Sequence, residues 1–267
     1  MNIQQYYRSA ATVSLNGSLA AFVPVIIILV GSILFSVNLP LLYVMIPFCV
    51  YSCICYQVYL IQHQRCLETE ITETQVDTTL EKSQKILITF MPAPSLRMLL
   101  FEPNGFLIGE VRDFRFWWFR WFLPYFADKL IPNVYGLYDQ QNKLLALYSV
   151  NERKKQVKIM DSVKNEIGIY HEYIKPIFSL EKRGTIHSLI ENHYIQVEGS
   201  SLYPHIKFRN EEGFIIGKLI KGWMPLNWGK QFRDANTPFI VLEEQVDVTD
   251  KIFMVGVLAY FFKCTSH

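Results

Sequence analysis

Charge is scarce in the first quarter of this 267-residue sequence, and that scarcity is more telling than any motif. No residue from Leu19 to Val37 (LAAFVPVIIILVGSILFSV) is charged, and none is from Leu39 to Ile61 (LPLLYVMIPFCVYSCICYQVYLI). About twenty apolar residues at a rise of roughly 1.5 Å cross a hydrocarbon core of roughly 30 Å, so each run is long enough to span. Only Asn38 separates the runs and Pro40 follows at once, so the chain turns back to the side it came from. A cleaved leader needs a shorter apolar core and a small-residue cleavage site, and the sequence shows neither before the second run begins. A buried helical pair in a soluble domain is the competing reading. Pro24 does not argue against a membrane helix, where neighbouring groups satisfy the carbonyl that proline frees.

Other absences narrow the chemistry. Five cysteines make no disulfide framework: Cys49, Cys53 and Cys55 lie inside the second run, Cys66 at its exit and Cys264 near the end. Cys66 is placed for acylation at a membrane boundary, although an inert thiol is the simpler account. There is no P-loop, no G-x-S-x-G, no H-E-x-x-H and no paired C-x-x-C. The six histidines are scattered, and His187 and His193 have neither helical nor common zinc spacing. The sequence therefore reads as non-enzymatic, with no cofactor and no metal.

Charge reappears after the second run. Arg8 precedes the first run and Arg65 follows the second, while the turn between them is uncharged. The positive-inside bias then places both ends in the cytoplasm and the protein in the cell membrane as a two-pass hairpin, residues 1–65. Residues 66–84 (CLETEITETQVDTTLEKSQ) hold five acids against one lysine and read as an acidic linker or a short exposed helix. Setting aside the three cations and five acids of residues 1–84, the remaining stretch 85–267 holds 23 basic and 19 acidic residues, a net of +4. That excess is too modest for nucleic acid, and no nucleic-acid module is visible.

Residues 85–267 are rich in short strand signals: KILITF, RMLLFE, FLIGEV, VYGLY, LLALYSV, VKIM, EIGIYHE, IFSLE, HYIQVEG, HIKFR, FIIGKLI and FIVLEE. Turn residues separate them, as at Pro103-Asn104-Gly105, residues 139–142, 161–165 and 210–213. About a dozen strands at hairpin spacing predict a mostly β fold, a closed or nearly closed antiparallel barrel. FEPNGFLIGEVRDFRFWW (101–118) is echoed by FRNEEGFIIGKLIKGWMP (208–225), which suggests two related halves. Near the end, IFMVGVLAYFF (252–262) is apolar on every face. It is too short to span, so as a helix over about 250–263 it must be buried all round, in the middle of the barrel. Thr249 or Asp250 is the expected cap and Lys263 complements the dipole at the other end; a plain core strand is the alternative.

With its repeated short hairpins and the terminal IFMVGVLAYFF, the stretch 85–264 resembles the tubby C-terminal-like superfamily, which includes the tubby proteins, the phospholipid scramblases and the LURP-one-related proteins. The resemblance implies a twelve-stranded barrel around a hydrophobic helix, and a role at lipid surfaces. The chain departs from that family in anchoring through an N-terminal hairpin, and it shows no acidic calcium loop.

Two surface features are candidates for function. Nine of the thirteen residues of Phe114–Phe126 are aromatic, and Trp117, Trp118 and Trp121 flanked by Arg115 and Arg120 suit a headgroup interface. Gly222–Trp228, with Trp223 and Trp228, would sit at the equivalent place in the other half if the echo reflects a repeat. A bulky strand pair in the barrel wall is the competing account. The second feature is Arg153-Lys154-Lys155 with Lys158, joined by Lys182-Arg183, which an anionic leaflet would attract; a solvated hairpin tip is its plain alternative. The expected function is a membrane-tethered module that binds lipid headgroups or a membrane-associated partner. Alternatives are an immunity or stress-response protein acting by protein–protein contact, and a lipid-translocating protein, for which the two bland runs offer no hydrophilic track.

Overall fold

A computed structural model describes residues 1–35, 41–70, 79–93, 95–115, 133–173, 181–200, 205–222 and 224–265. They fall into two units, Met1–Ile71 and Thr72–His267.

The first unit is a helical hairpin. Helix α1 (Ile3–Phe35) starts at a reciprocal cap in which the Gln5 N–H donates to Asn2 Oδ1 at 2.9 Å and the Asn2 N–H to Gln5 Oε1 at 3.1 Å. Helix α2 is Leu41–Glu68. One stripe of α1 is buried against α2: Ile3, Tyr7, Ala10, Ser14, Ser18, Ala21 and Val25, at spacings of three and four. Most of these residues are small, which lets the two backbones approach. Ser18 and Ser52 share a hydrogen bond of 2.9 Å between hydroxyls, and Ser52 also binds the Ser18 carbonyl at 3.1 Å. The remaining faces are bare and apolar, among them Leu19, Phe22, Ile26, Ile33 and Ile54. Both helices are long and apolar enough to cross a membrane.

The second unit is a closed meander of twelve antiparallel strands: β1 Lys85–Phe90, β2 Met98–Phe101, β3 Leu107–Asp113, β4 Asn133–Asp139, β5 Leu144–Asn151, β6 Gln156–Asp161, β7 Glu166–Tyr173, β8 Glu181–Ser188, β9 Tyr194–Ser200, β10 Ile206–Arg209, β11 Ile215–Ile220 and β12 Phe239–Leu242. Each strand pairs with its sequence neighbours, and β1 closes the ring against β12 through Lys85–Val241, Ile86–Ile240 and Leu87–Phe239. Closure leaves no edge to template aggregation. Eleven of the predicted strands match. The exception is IFSLE, of which residues 177–180 lie outside the described residues; the strand observed is Glu181–Ser188 (EKRGTIHS). That segment has little β propensity, and its register is set by β7 and β9 on either side.

The echo between residues 101–118 and 208–225 does not divide the barrel into halves. It relates the β2–β3 hairpin to β10–β11, which begin eight strands apart, not six. What recurs is a turn chemistry. Gly105, Asn142, Lys164 and Gly213 each take a positive φ, in the turns that close β2–β3, β4–β5, β6–β7 and β10–β11, and each pairing carries a register shift beside its turn.

Helix α3 (Val248–Thr265) runs through the barrel. Phe253, Met254, Val255, Val257, Leu258 and Ala259 are all buried, together with the inward side chains of the strands. The cap is neither Thr249 nor Asp250. The helix starts earlier, and Asp247 Oδ2 accepts the Thr249 N–H at 2.9 Å. Backbone hydrogen bonds from Thr249 hold the Asp247 carboxyl below the ordinary carboxylate range. Lys251, almost fully buried, donates to the carbonyls of Leu80, Glu81 and Ser83 and so ties the start of α3 to the turn that leads into β1. The predicted linker is thus partly structured: α2 continues to Glu68, and Leu80 and Ser83 are buried in the barrel unit.

Glycine sets how closely the wall approaches the helix. The Tyr148 ring lies across Gly256, where an added Cβ would sit 2.6 Å from Tyr148 Cε1, and the Tyr148 hydroxyl donates to the Ile252 carbonyl at 2.9 Å. Alanine in place of Gly256 gains about 1 kcal/mol of helix propensity but drives a methyl into a ring that is hydrogen-bonded in place, an overpacking cost of about 3 kcal/mol. Gly256→Ala should therefore lower the melting temperature of the barrel unit in a thermal unfolding experiment. A rise would show that propensity outweighs the clash.

Candidate functional site

The direction of the strands decides which residues can meet. The odd-numbered strands β1 to β11 all run the same way, so the connections that follow them gather at one end of the barrel. Helix α3 runs in that sense too, since Asp250 meets His193 of the β8–β9 turn and Lys263 meets Glu152 of the β5–β6 turn. The end where α3 finishes therefore collects the connection after β3, which carries Arg115, and the β5–β6 turn, which carries Arg153, Lys154 and Lys155. These four predicted residues, far apart in sequence, belong to one end. Trp117, Trp118, Arg120, Trp121 and Trp223 lie outside the described residues.

The β5–β6 turn is shaped by Asn151, whose Oδ1 accepts the Lys154 N–H at 3.1 Å, and by Lys155 at φ 47°. The carboxylates of Glu152 in this turn and of Glu172 at the end of β7 point inward. Glu152 Oε1 is 2.6 Å from the Lys263 ammonium, and Glu172 Oε2 accepts the Tyr260 hydroxyl at 2.8 Å. Lys155 Nζ lies 3.9 Å from Glu172 Oε1. With these acids engaged on the helix, Arg115, Arg153 and Lys154 are exposed and make no ion pair with any described residue. Lys158, the next cation along β6, is instead paired with Glu166 at 2.5 Å. Among the described residues, Arg115 and the β5–β6 turn therefore present unpaired positive charge outward.

Trp228 does not join this group. It is only 8% exposed and packs edge-on against Phe239 at 5.2 Å, in a single 3-10 turn, Leu226–Trp228. The reason lies in the wall beneath it. Leu87, Leu99, Phe101 and Phe239 are buried yet stand outside the inner core cluster, so β1, β2 and β12 are apolar on both faces. The connection before β12 covers the outer face, with Phe232 against Phe101 at 6.1 Å and Trp228 against Phe239. Unbroken runs such as MLLF and FIVL signal a strand buried on both faces, and that signal assigns Trp228 to packing instead of membrane contact.

The opposite end has its own polar group, which the scattered histidines did not reveal. His193 lies 2.9 Å from Asp250 and 3.3 Å from Glu191. Burial pushes the Asp250 carboxyl up, while the hydrogen bond from His193 opposes that rise. No set of three or more metal-ligating side chains is grouped among the described residues. The sequence matches no protein-family model and no curated protein.

The pairing of Glu152 with Lys263 is testable. Lys263 is 8% exposed in its side chain against 28% for Glu152, so removing the acid strands a buried ammonium. Breaking a buried pair costs about 3–5 kcal/mol, less where one partner meets solvent, as here. Glu152→Ala should destabilise the barrel by about 2 kcal/mol in chemical denaturation, and adding Lys263→Met to it should restore most of the loss.

Proposed function

We propose that this chain is a two-pass membrane protein, with both ends in the cytoplasm, whose tubby-like barrel is a non-enzymatic module recognising anionic lipid headgroups through its basic end. The observation that carries the reading is the pairing of two features: a hairpin whose unpaired faces are bare and apolar, and a barrel end at which Glu152 and Glu172 turn inward while Arg115, Arg153 and Lys154 face out. Bare apolar faces on helices of this length call for lipid. Near an anionic leaflet each exposed cation contributes about 1 kcal/mol. The lumen is filled by α3, so recognition falls to the outer surface, and the resemblance to lipid-associated barrels points the same way.

A membrane-associated protein partner, as in an immunity or stress-response role, is the second reading. It is favoured by one fact: the chain enters the barrel at Leu80 and Ser83, beside the start of α3 and opposite the basic end. A module tethered at one end can reach out to a partner with the other.

Flotation on liposomes separates the two. The barrel unit has a closed hydrogen-bonded ring and a complete core of its own, so it is suited to study alone. It should float with anionic vesicles and not neutral ones, lose binding at high salt, and lose it at low salt when Arg115, Arg153 and Lys154 are changed to Glu. Absence of flotation on either vesicle by a folded barrel would overturn lipid recognition in favour of a protein partner.

A further inference from the structure

The hairpin contains a second site candidate, independent of the barrel. Its register is fixed by two pairs: Gln4 Nε2 donates to the Cys66 carbonyl at 3.2 Å, and Ser18 meets Ser52. By that register Arg8 stands at the level of residues 62 and 63. Residues 9–62 contain no Asp, Glu, Lys, Arg or His, so Arg8 and His63 mark the same boundary on both helices. The apolar zone of α1 accordingly starts before Leu19, where the sequence hydropathy alone had placed it.

A groove of about 490 Å³ opens at this boundary, with Gln5, Arg8, Leu15, Tyr59 and His63 in its lining. That volume lies within the roughly 300–1,000 Å³ of small-molecule sites. The His63 ring stacks on Tyr59 at 5.6 Å between centroids, which positions the imidazole in the groove wall. The Arg8 side chain is exposed and makes no ion pair with a described residue. Below the polar rim an exposed apolar face of α1 leads on from the groove. Leu15 lines it, and Leu19, Phe22 and Ile26 follow at spacings of four, three and four on the same helical face, all three exposed.

We propose that this groove holds an anionic phospholipid, with its phosphate on Arg8 and His63 and one acyl chain along Leu15, Leu19, Phe22 and Ile26. The inference rests on the membrane reading of the hairpin. A cationic rim joined to an apolar track matches one amphiphile, whereas a free phosphate would use only the rim and a neutral lipid only the track. Bound lipid would fill the space between the helix ends and stiffen the point where the chain leaves the membrane.

Native mass spectrometry of the full chain in detergent, reloaded with equal amounts of phosphatidylglycerol and phosphatidylcholine of the same chain length, tests the proposal. The wild type should retain the anionic lipid in preference, by about fivefold for the Arg8 cation. Arg8→Gln and His63→Gln should each move the ratio towards parity, Arg8→Lys should keep most of it, and Lys143→Gln on the barrel should leave it unchanged. Parity in the wild type, or a preference unmoved by Arg8→Gln, would overturn the site. Displacement of the lipid by water-soluble glycerol phosphate alone would refute the acyl track. Alkaline carbonate extraction of membranes, done alongside, tells the two failures apart. Release of the chain would remove the membrane reading itself, while retention without lipid preference would remove only this site.

Discussion

A helix that is apolar on every side has to be surrounded, and most of this barrel follows from that requirement. Helix α3 offers no polar face, so an open sheet would leave half of it in water; only a ring of strands covers it fully. The ring in turn has to come close. Tyr148 lies over Gly256 and Phe253 against Gly168, each a ring filling space that a Cβ would occupy. The polar groups that cannot be avoided are placed at the two helix ends. Asp247, Asp250 and Lys251 are engaged at the start, and Tyr260 and Lys263 at the finish.

This arrangement links the core to the surface. The acids that engage Tyr260 and Lys263 come from the β5–β6 turn and the end of β7, where they would otherwise neutralise the neighbouring cations. Anchoring the helix thus leaves Arg153 and Lys154 without those acids as partners. The surface charge that we assign to recognition is in this sense a by-product of how the core is closed.

Much of the architecture was legible in the sequence because burial writes a simple pattern. Alternation and turn residues announced eleven strands, and the run IFMVGVLAYFF announced a helix with no exposed face. β8 was missed because EKRGTIHS carries its information in its neighbours' hydrogen bonds, not in its own composition. The cap was misplaced by two or three residues because Thr249, Asp250 and Asp247 all suit the role, and only geometry chooses among them. Trp228 was misread for a different reason: an echo of the Trp-rich segment was given more weight than the unbroken apolar runs that called for an outer cover. The common end shared by Arg115 and Arg153–Lys155 was out of reach, since it depends on strand direction around a closed ring. The pairing of Arg8 with His63 was equally hidden, because it depends on the register of two helices whose hydropathy is almost featureless.

The central claim is that a hairpin holds this barrel against one face of a membrane. Single-cysteine labelling tests it directly, in the full chain with its own cysteines replaced, using a membrane-impermeant thiol reagent on sealed vesicles. Asn38→Cys should react from one side only, and Asn2→Cys and Lys143→Cys from the other side only. Reaction of all three positions from the same side would contradict the account and leave the two apolar helices in need of a protein partner in place of lipid.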